Sequence, residues 1–262
     1  MDKLIVSVQN TRVKEWAQLL DKKGRDKQNK FIVEGVHLVQ EALTSGAVVE
    51  SVVYCADRAI SREIENLLSY DIEKIGVSEE VLARCTDAKT PQNIFAVVRK
   101  LHWNTGHLKG IGNDLVVVLD GVRDPGNVGT IIRSADAVGA SAIVLGKGTA
   151  DLYNPKTVRS TMGSMFKLPI VEGDLQELLP QAASGGKRIA AASLRESKSL
   201  YEYDFRQPTW LIVGNEGQGI NPQIEELAAE RISIPMPGGA ESLNVAMATT
   251  VLLFEAMRQR RG

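Results

Sequence analysis

Cysteine, histidine and long apolar runs are all scarce in this chain of 262 residues. Its two cysteines, Cys55 and Cys85, lie far apart without a pairing pattern, which excludes a disulfide framework and fits a reducing compartment. The three histidines, His37, His102 and His107, form no H-E-x-x-H and lie near no cysteine pair, so no metal site is expected. No segment approaches the ~18 apolar residues of a membrane span. The apolar run in the opening "MDKLIVSVQN" is too short for a signal peptide. The cytoplasm is therefore the expected compartment. Internal repeats and low-complexity stretches are missing too. So are the two common phosphate cradles, G-x-G-x-x-G and G-x-x-x-x-G-K-[ST], which argues against a Rossmann dehydrogenase and an NTPase.

What is present is an ordinary globular composition, 44% apolar and 24% charged. A net charge of -1 excludes a wholesale polycation, but the charge is unevenly spread. Residues 1–30 hold eight Lys/Arg against four acids. A basic head on a near-neutral body suggests a polyanion contacted locally. Arg12, Lys14, Lys22, Lys23 and Arg25 are its candidate contacts. Residues 154–167 add Lys156, Arg159 and Lys167 with no acid among them. A phosphate-bearing polyanion is the expected ligand of Lys156 and Arg159 as well. Trp103 and Tyr153 are candidates for base stacking or for core and hinge packing.

The pattern predicts two α/β domains. The first, residues 1–101, opens with a helix on which Val13, Trp16, Leu19 and Leu20 recur at helical spacing. A polar basic connection "DKKGRDKQNK" follows, then strands at 31–35, 49–56, 72–77 and 94–99 with helices at 36–43 and 60–69. The Gly-containing stretch 102–113 reads as a linker. The second domain, 114–262, carries near-continuous apolar runs at 115–120, 142–146, 168–172, 188–194, 210–214 and 231–236. Such runs mark a parallel sheet covered by helices.

Ligands bind beyond the carboxyl ends of such strands, and three strand ends here are polar and Gly-rich. "DGVRDPGNVG" opens a helix whose buried face is predicted as Val128, Ile131, Ile132, Ala135 and Val138. Pro125 and Asn127 suit its start and Gly139 its end, with Arg133 on the flank. "GNEGQG" places Asn215, Glu216 and Gln218 between glycines that let backbone groups approach a flat ligand. "PMPGGAESLN" leads into a helix with Ser242 as its expected cap. That helix is apolar on nearly every side, so it must be covered, and a second subunit is the expected cover.

In this order the three loops resemble the SpoU/TrmH family of SPOUT-type RNA 2′-O-ribose methyltransferases. The matching segments are "LDGVRDPGNVGTIIRSADAVGASAIVL", "LIVGNEGQGI" and "ISIPMPGGAESLNVAMATTVLLFE", with "DLYNPKTVRSTMGSMFKLPI" between the first two. The segment "NTRVKEWAQLLDKKGRDKQNKFIVEGVHLVQEAL" resembles, more loosely, the L30e-like substrate-binding domain of the ribosomal-RNA branch. The resemblance implies a trefoil-knotted catalytic domain, a homodimer, and S-adenosylmethionine as methyl donor. It implies donor contacts from Gly214, Asn215, Gly217, Gly219, Ile234, Met236, Ser242, Leu243 and Asn244. Arg133, Asn127, Glu216 and Asn244 are implied as catalytic residues. For Arg133 two roles stand open, a general base and an electrostatic stabiliser; a guanidinium holds its proton, which favours the second. A carboxylate of the glycine loop is a further candidate base. The implied substrate is 23S ribosomal RNA. The alternatives are tRNA and a non-catalytic RNA-binding assembly factor on the same fold.

Overall fold

The computed structural model describes residues 3–108, 114–195, 197–238 and 241–261. The last five residues of the expected linker, and Gly239 of the Pro-Gly-Gly turn, lie outside the described residues. The chain forms two compact units. One is Met1–His102 together with Asp151–Phe166, the other Trp103–Ala150 together with Lys167–Gly262. Residues 151–166, inside the segment expected to form the second domain, thus pack with the first unit.

The first unit contains β1 (Lys3–Ile5), α1 (Thr11–Gln18), α2 (Lys22–Gln28), β2 (Lys30–Glu34) and α3 (Val36–Thr44). It continues with β3 (Val49–Cys55), α4 (Arg62–Leu67), β4 (Glu73–Val77), α5 (Glu79–Arg84) and β5 (Ile94–Arg99). The sheet order is β1-β4-β3-β5-β2. β1, β4 and β3 run parallel, and β5 is antiparallel to both β3 and β2. Val13, Trp16 and Leu19 bury the apolar stripe of α1 against Ile32, Val53, Ile75 and Phe95. Trp16 meets the ring of Phe95 edge-on at 5.7 Å.

The basic connection expected after α1 is instead the helix α2. "KKGRDKQ" has no apolar period to betray it, because its buried residues are Gly24 and Arg25. Gly24 is required where α2 passes α1: a Cβ there would sit 1.9 Å from the Gln18 carbonyl oxygen. Asn29 ends the helix in the left-handed conformation (φ 55°) that asparagine tolerates.

The second unit opens with β6 (Leu115–Asp120), α6 (Pro125–Ala137) and β7 (Ala142–Leu145). After α7 (Pro155–Thr161), which belongs to the first unit, come β8 (Ile170–Glu172), α8 (Leu175–Ser184), β9 (Arg188–Ala192) and β10 (Lys198–Ser199). β11 (Thr209–Gly214), α9 (Pro222–Glu225), β12 (Glu230–Ser233) and α10 (Val245–Arg261) complete it. The described strands form a wholly parallel sheet in the order β10-β12-β9-β11-β6-β7-β8. Every residue of β6, β7 and β11 is buried, as expected of strands covered on both faces.

Asp124 caps α6 through the Asn127 N–H at 2.9 Å, with Pro125 in its first turn. Val128, Ile131, Ile132, Ala135 and Val138 are its buried face. Each of the larger aliphatic side chains stabilises the packing by about 1.5–3 kcal/mol. Gly139, at φ 73°, ends the helix. From β6 the chain runs outward through β7 and β8, then returns to the other side of β6 through β9 and β11. That reversal opens a crevice at the carboxyl edge of the sheet.

Candidate functional site

A cleft of about 520 Å³ lies beyond the carboxyl ends of β9, β11 and β12, against the first turns of α10. This is the size of an ordinary small-molecule site. The turn after β11 contributes Gly214, Asn215, Gly217 and Gly219; the exit of β12 contributes Ile234 and Met236; the approach to α10 contributes Ser242, Leu243 and Asn244. All nine residues assigned from sequence to the donor therefore line one cleft. Sequence reasoning missed Ser193 and Leu194 at the end of β9, and Ala248 and Thr249 on α10. The β9 pair was findable, since "RIAAASL" reads as a strand and ligands bind beyond the carboxyl ends of such strands.

The wall formed by residues 214–219 is built from backbone. Asn215 and Gly219 exchange N–H···O bonds, both at 2.9 Å. The Asn215 side-chain oxygen accepts from Gly217 N (2.9 Å) and Gln218 N (3.1 Å). Gly214 can only be glycine, because a Cβ would lie 2.3 Å from Gly219 C and Ile220 N. Exposed apolar side chains, Leu194 and Leu243, line the same cleft. Backbone polar groups beside an apolar slot suit a flat heterocycle with a polar edge.

Three polar residues from the three loops join into one network. The Glu216 carboxylate accepts from Asn127 Nδ2 at 2.9 Å and from the N–H groups of Arg123 and Asp124 at 3.3 Å. Asn127 Oδ1 accepts from Asn244 Nδ2 at 3.1 Å. Asn244 Oδ1 in turn accepts from Ala246 N and Met247 N. Asn244 is thus the cap of α10, where Ser242 was expected; Ser242 lies two residues too early to reach those donors. Burial pushes the Glu216 carboxyl up, but its hydrogen bonds from Asn127 and the backbone outweigh this and hold it below the usual carboxylate range. A carboxylate so held is ionised and a poor proton acceptor. This tells against the glycine-loop carboxylate as a base.

Arg133 is exposed on α6 and makes no hydrogen bond or ion pair among the described residues. It does not line the cleft. Six residues beyond Asn127, it lies about 9 Å further along the helix axis and on another face.

The basic residues fare differently. Arg25 is 2% exposed and donates to the carbonyls of Leu19 (2.8 Å) and Leu20 (2.7 Å) and to the Asp151 carboxylate (2.6 Å). It is a buried packing residue, so its assignment to RNA is corrected. Arg12 forms a two-pronged pair with Glu73 over the Trp16 ring, Lys22 pairs with Asp26, and Arg159 pairs with Asp87 and Glu34. Lys14, Lys23 and Lys156 are exposed. Tyr153 is buried, tilted against Phe31 at 4.8 Å, with its hydroxyl on the backbone of Leu101; its role is packing. Among the described residues no three His, Cys, Asp or Glu come together, and no helix is long and apolar enough to cross a membrane.

Fold and site define an α/β protein with a small-molecule cleft beyond the carboxyl ends of β9, β11 and β12 of a parallel sheet, and with a mixed-sheet unit. Comparison with known proteins gives the family. The chain belongs to the SpoU rRNA methylase family, whose model matches residues 114–254. A model described as an MRM3-like substrate binding domain matches residues 10–96. The chain is 37% identical to the Bacillus subtilis 23S rRNA (guanosine(2553)-2′-O)-methyltransferase RlmP, over 96% of this chain and 98% of that one. Among solved structures it resembles the SpoU methyltransferase AviRb from Streptomyces viridochromogenes, in complex with AdoMet. The TM-score is 0.88 at 32% identity, covering 97% of this chain and 99% of that chain. The A. aeolicus TrmH/SpoU tRNA modifying enzyme covers 59% of this chain at a TM-score of 0.51.

Proposed function

We propose that the protein is an S-adenosylmethionine-dependent methyltransferase acting on a ribose 2′-hydroxyl of 23S ribosomal RNA in the cytoplasm. The observation that carries this reading is the cleft itself. Its glycine turn is bonded through Glu216 and Asn127 to the helix bearing Arg133, which is unpaired among the described residues. The likeness to ribosomal-RNA enzymes over nearly the full chain, first unit included, favours that substrate over tRNA.

The donor supplies an electrophilic methyl on a sulfonium. Transfer would break its C–S bond as the bond to the ribose oxygen formed, with the hydroxyl proton passing to solvent or a base. The residues of 214–219, Ile234, Met236 and 242–244 would hold the donor, largely through backbone groups. Alignment of hydroxyl and methyl is worth ~7–11 kcal/mol. Arg133 would orient an RNA phosphate and stabilise developing alkoxide charge. Lys14, Lys23 and Lys156 are the exposed cations proposed to meet RNA.

A homodimer belongs to the same reading. α10 packs on α6, with Ser134 Oγ and Thr250 Oγ1 at 2.7 Å, yet leaves Met247, Val251 and Phe254 exposed in one stripe continued by Leu243. A second copy seated there covers the stripe and brings a second Arg133-bearing helix to the interface. The trefoil knot is the remaining part of the proposal.

The test is transfer of labelled methyl from S-adenosylmethionine to unmodified ribosomal RNA and, separately, to tRNA transcripts. Label in ribosomal RNA as an alkali-resistant dinucleotide, lost in Arg133→Ala, is the expected result. Label in tRNA alone overturns the substrate. Absence of donor binding overturns the enzyme reading in favour of an RNA-binding assembly factor.

A further inference from the structure

β6 is aliphatic until its last residue. Leu115 through Leu119 are Leu or Val, and Asp120 then brings a carboxylate into the sheet with only 8% of the residue exposed. A buried carboxylate is costly unless something specific is bonded to it. Here its partner is the N–H of Asn221, at 2.6 Å. In register, Asp120 lies beside Gly214, the residue from which the glycine turn departs. Asn221 is where that turn re-enters regular structure, as the cap of α9.

The neighbouring residue fastens the other end of the turn. The carbonyl of Gly121 accepts from Asn215 Nδ2 at 2.9 Å. Residues 215–221 are thus tied at both ends to two consecutive residues, 120 and 121. Between the ties the turn is closed on itself by the Asn215–Gly219 pair. Asp120 does not line the cleft, whereas Asn215, Glu216, Gly217 and Gly219 do. Burial pushes the Asp120 carboxyl up against the pull of the Asn221 N–H.

We propose that Asp120 is a positioning residue for the methyl donor: by holding Asn221 N–H it fixes the glycine turn in the shape that forms one wall of the cleft. This rests on the methyltransferase reading above. It assigns to Asp120 an effect on donor affinity through the turn, with no contact of its own to donor or RNA.

The experiment is calorimetric binding of S-adenosylmethionine to the full chain, with steady-state kinetics and thermal melting. Asp120→Ala removes the acceptor. It is expected to weaken donor binding about 10-fold or more, the scale of one lost charged hydrogen bond. KM for the donor rises in step, while kcat at saturating donor stays within about threefold, a change under 1 kcal/mol. Asp120→Asn keeps an acceptor oxygen and is expected to restore affinity to within about threefold of wild type.

Glu230→Ala separates positioning from general loosening. Glu230 begins β12 at the opposite edge of the same sheet and pairs with Arg188 and Lys198. Its loss is expected to lower Tm without changing donor affinity. If Asp120→Ala does not fold, Asn221→Pro deletes the N–H donor at the other end. The φ of -56° at Asn221 suits proline, and the same loss of donor affinity is expected. Unchanged affinity in Asp120→Ala, equal loss in Ala and Asn variants, or an equal loss in Glu230→Ala each overturns the inference alone. A wild-type chain that binds no donor overturns the methyltransferase reading and this inference together.

Discussion

Replacing Arg25 by alanine is expected to unfold the first unit more easily, whatever it does to RNA. The Arg25 side chain is 3% exposed and its partner Asp151 13%. Two of its three acceptors are the carbonyls of Leu19 and Leu20, where α1 ends. Those carbonyls have no partners further along the helix, so the guanidinium replaces the donors that a longer helix would supply. Removing it leaves two carbonyls without donors and the Asp151 carboxylate without its counter-charge, held among the described residues only by the Tyr153 N–H at 3.0 Å. Breaking a buried pair from one side costs about 3–5 kcal/mol. Native chains are stable by only about 5–15 kcal/mol, so a large share is lost. At about 2–4 °C per kcal/mol, Tm falls by roughly 6–20 °C.

Urea and thermal denaturation of the full chain measure this. Lys23→Ala, exposed on the same helix, is the matched control and should stay within about 0.5 kcal/mol of wild type. Arg25→Lys should recover little, since an ammonium has no planar fork to serve three acceptors. The double variant Arg25→Ala/Asp151→Ala should cost less than the two single losses added, because no uncompensated charge remains. Wild-type stability in Arg25→Ala, combined with weakened RNA binding, would refute the buried placement and restore Arg25 to the RNA surface.

Two further outcomes follow from the same structure. Asp26 is held down to about 2 from 3.8 by hydrogen bonds from Lys100 and then Lys22. Its folded value is the lower one, so its contribution is present above the unfolded value of 3.8 and disappears as pH falls through about 2. A carboxyl-carbon NMR titration should place the Asp26 midpoint near that lower value, and Lys100→Ala should raise it; a midpoint at 3.8 in the wild type would remove the ion pair. Phe254 is 44% exposed on the apolar stripe of α10. If the proposed dimer forms through this face, Phe254→Asp should convert it to monomers in sedimentation velocity with little loss of monomer Tm, and an unchanged sedimentation coefficient would reject that face as the contact.

The parts of the fold legible in the sequence are those where one physical signal dominates. β6, β7 and β11 are buried on both faces, so their apolar runs stand out, and α6 shows a clean stripe from Val128 to Val138. The convergence of three distant loops was legible for a related reason. In a parallel sheet every carboxyl end lies on one edge, so the polar strand ends had to meet. What escaped was short or carried no period, among it the three residues of β1, the two of β10, the six of α5, and α2, whose inward side chains are a glycine and an arginine.

Pairing of charges escaped for a deeper reason. A sequence shows how many cations a segment carries but not which acid each one meets. Asp151 is 126 residues from Arg25 and Glu73 is 61 from Arg12. The local excess of Lys and Arg in residues 1–30 is therefore a poor measure of the field that an RNA would meet. Arg25 contributes to it hardly at all, and Arg12 and Lys22 only beside their acids. Arg133 is the converse case. In sequence it is one arginine in a helix with Asp136 three residues on, yet in the structure it is exposed and unpaired among the described residues. An unpaired guanidinium keeps its full capacity for phosphate. Which cations the fold leaves without a partner among the described residues, as it leaves the Arg133 proposed to meet RNA, can be answered only after folding.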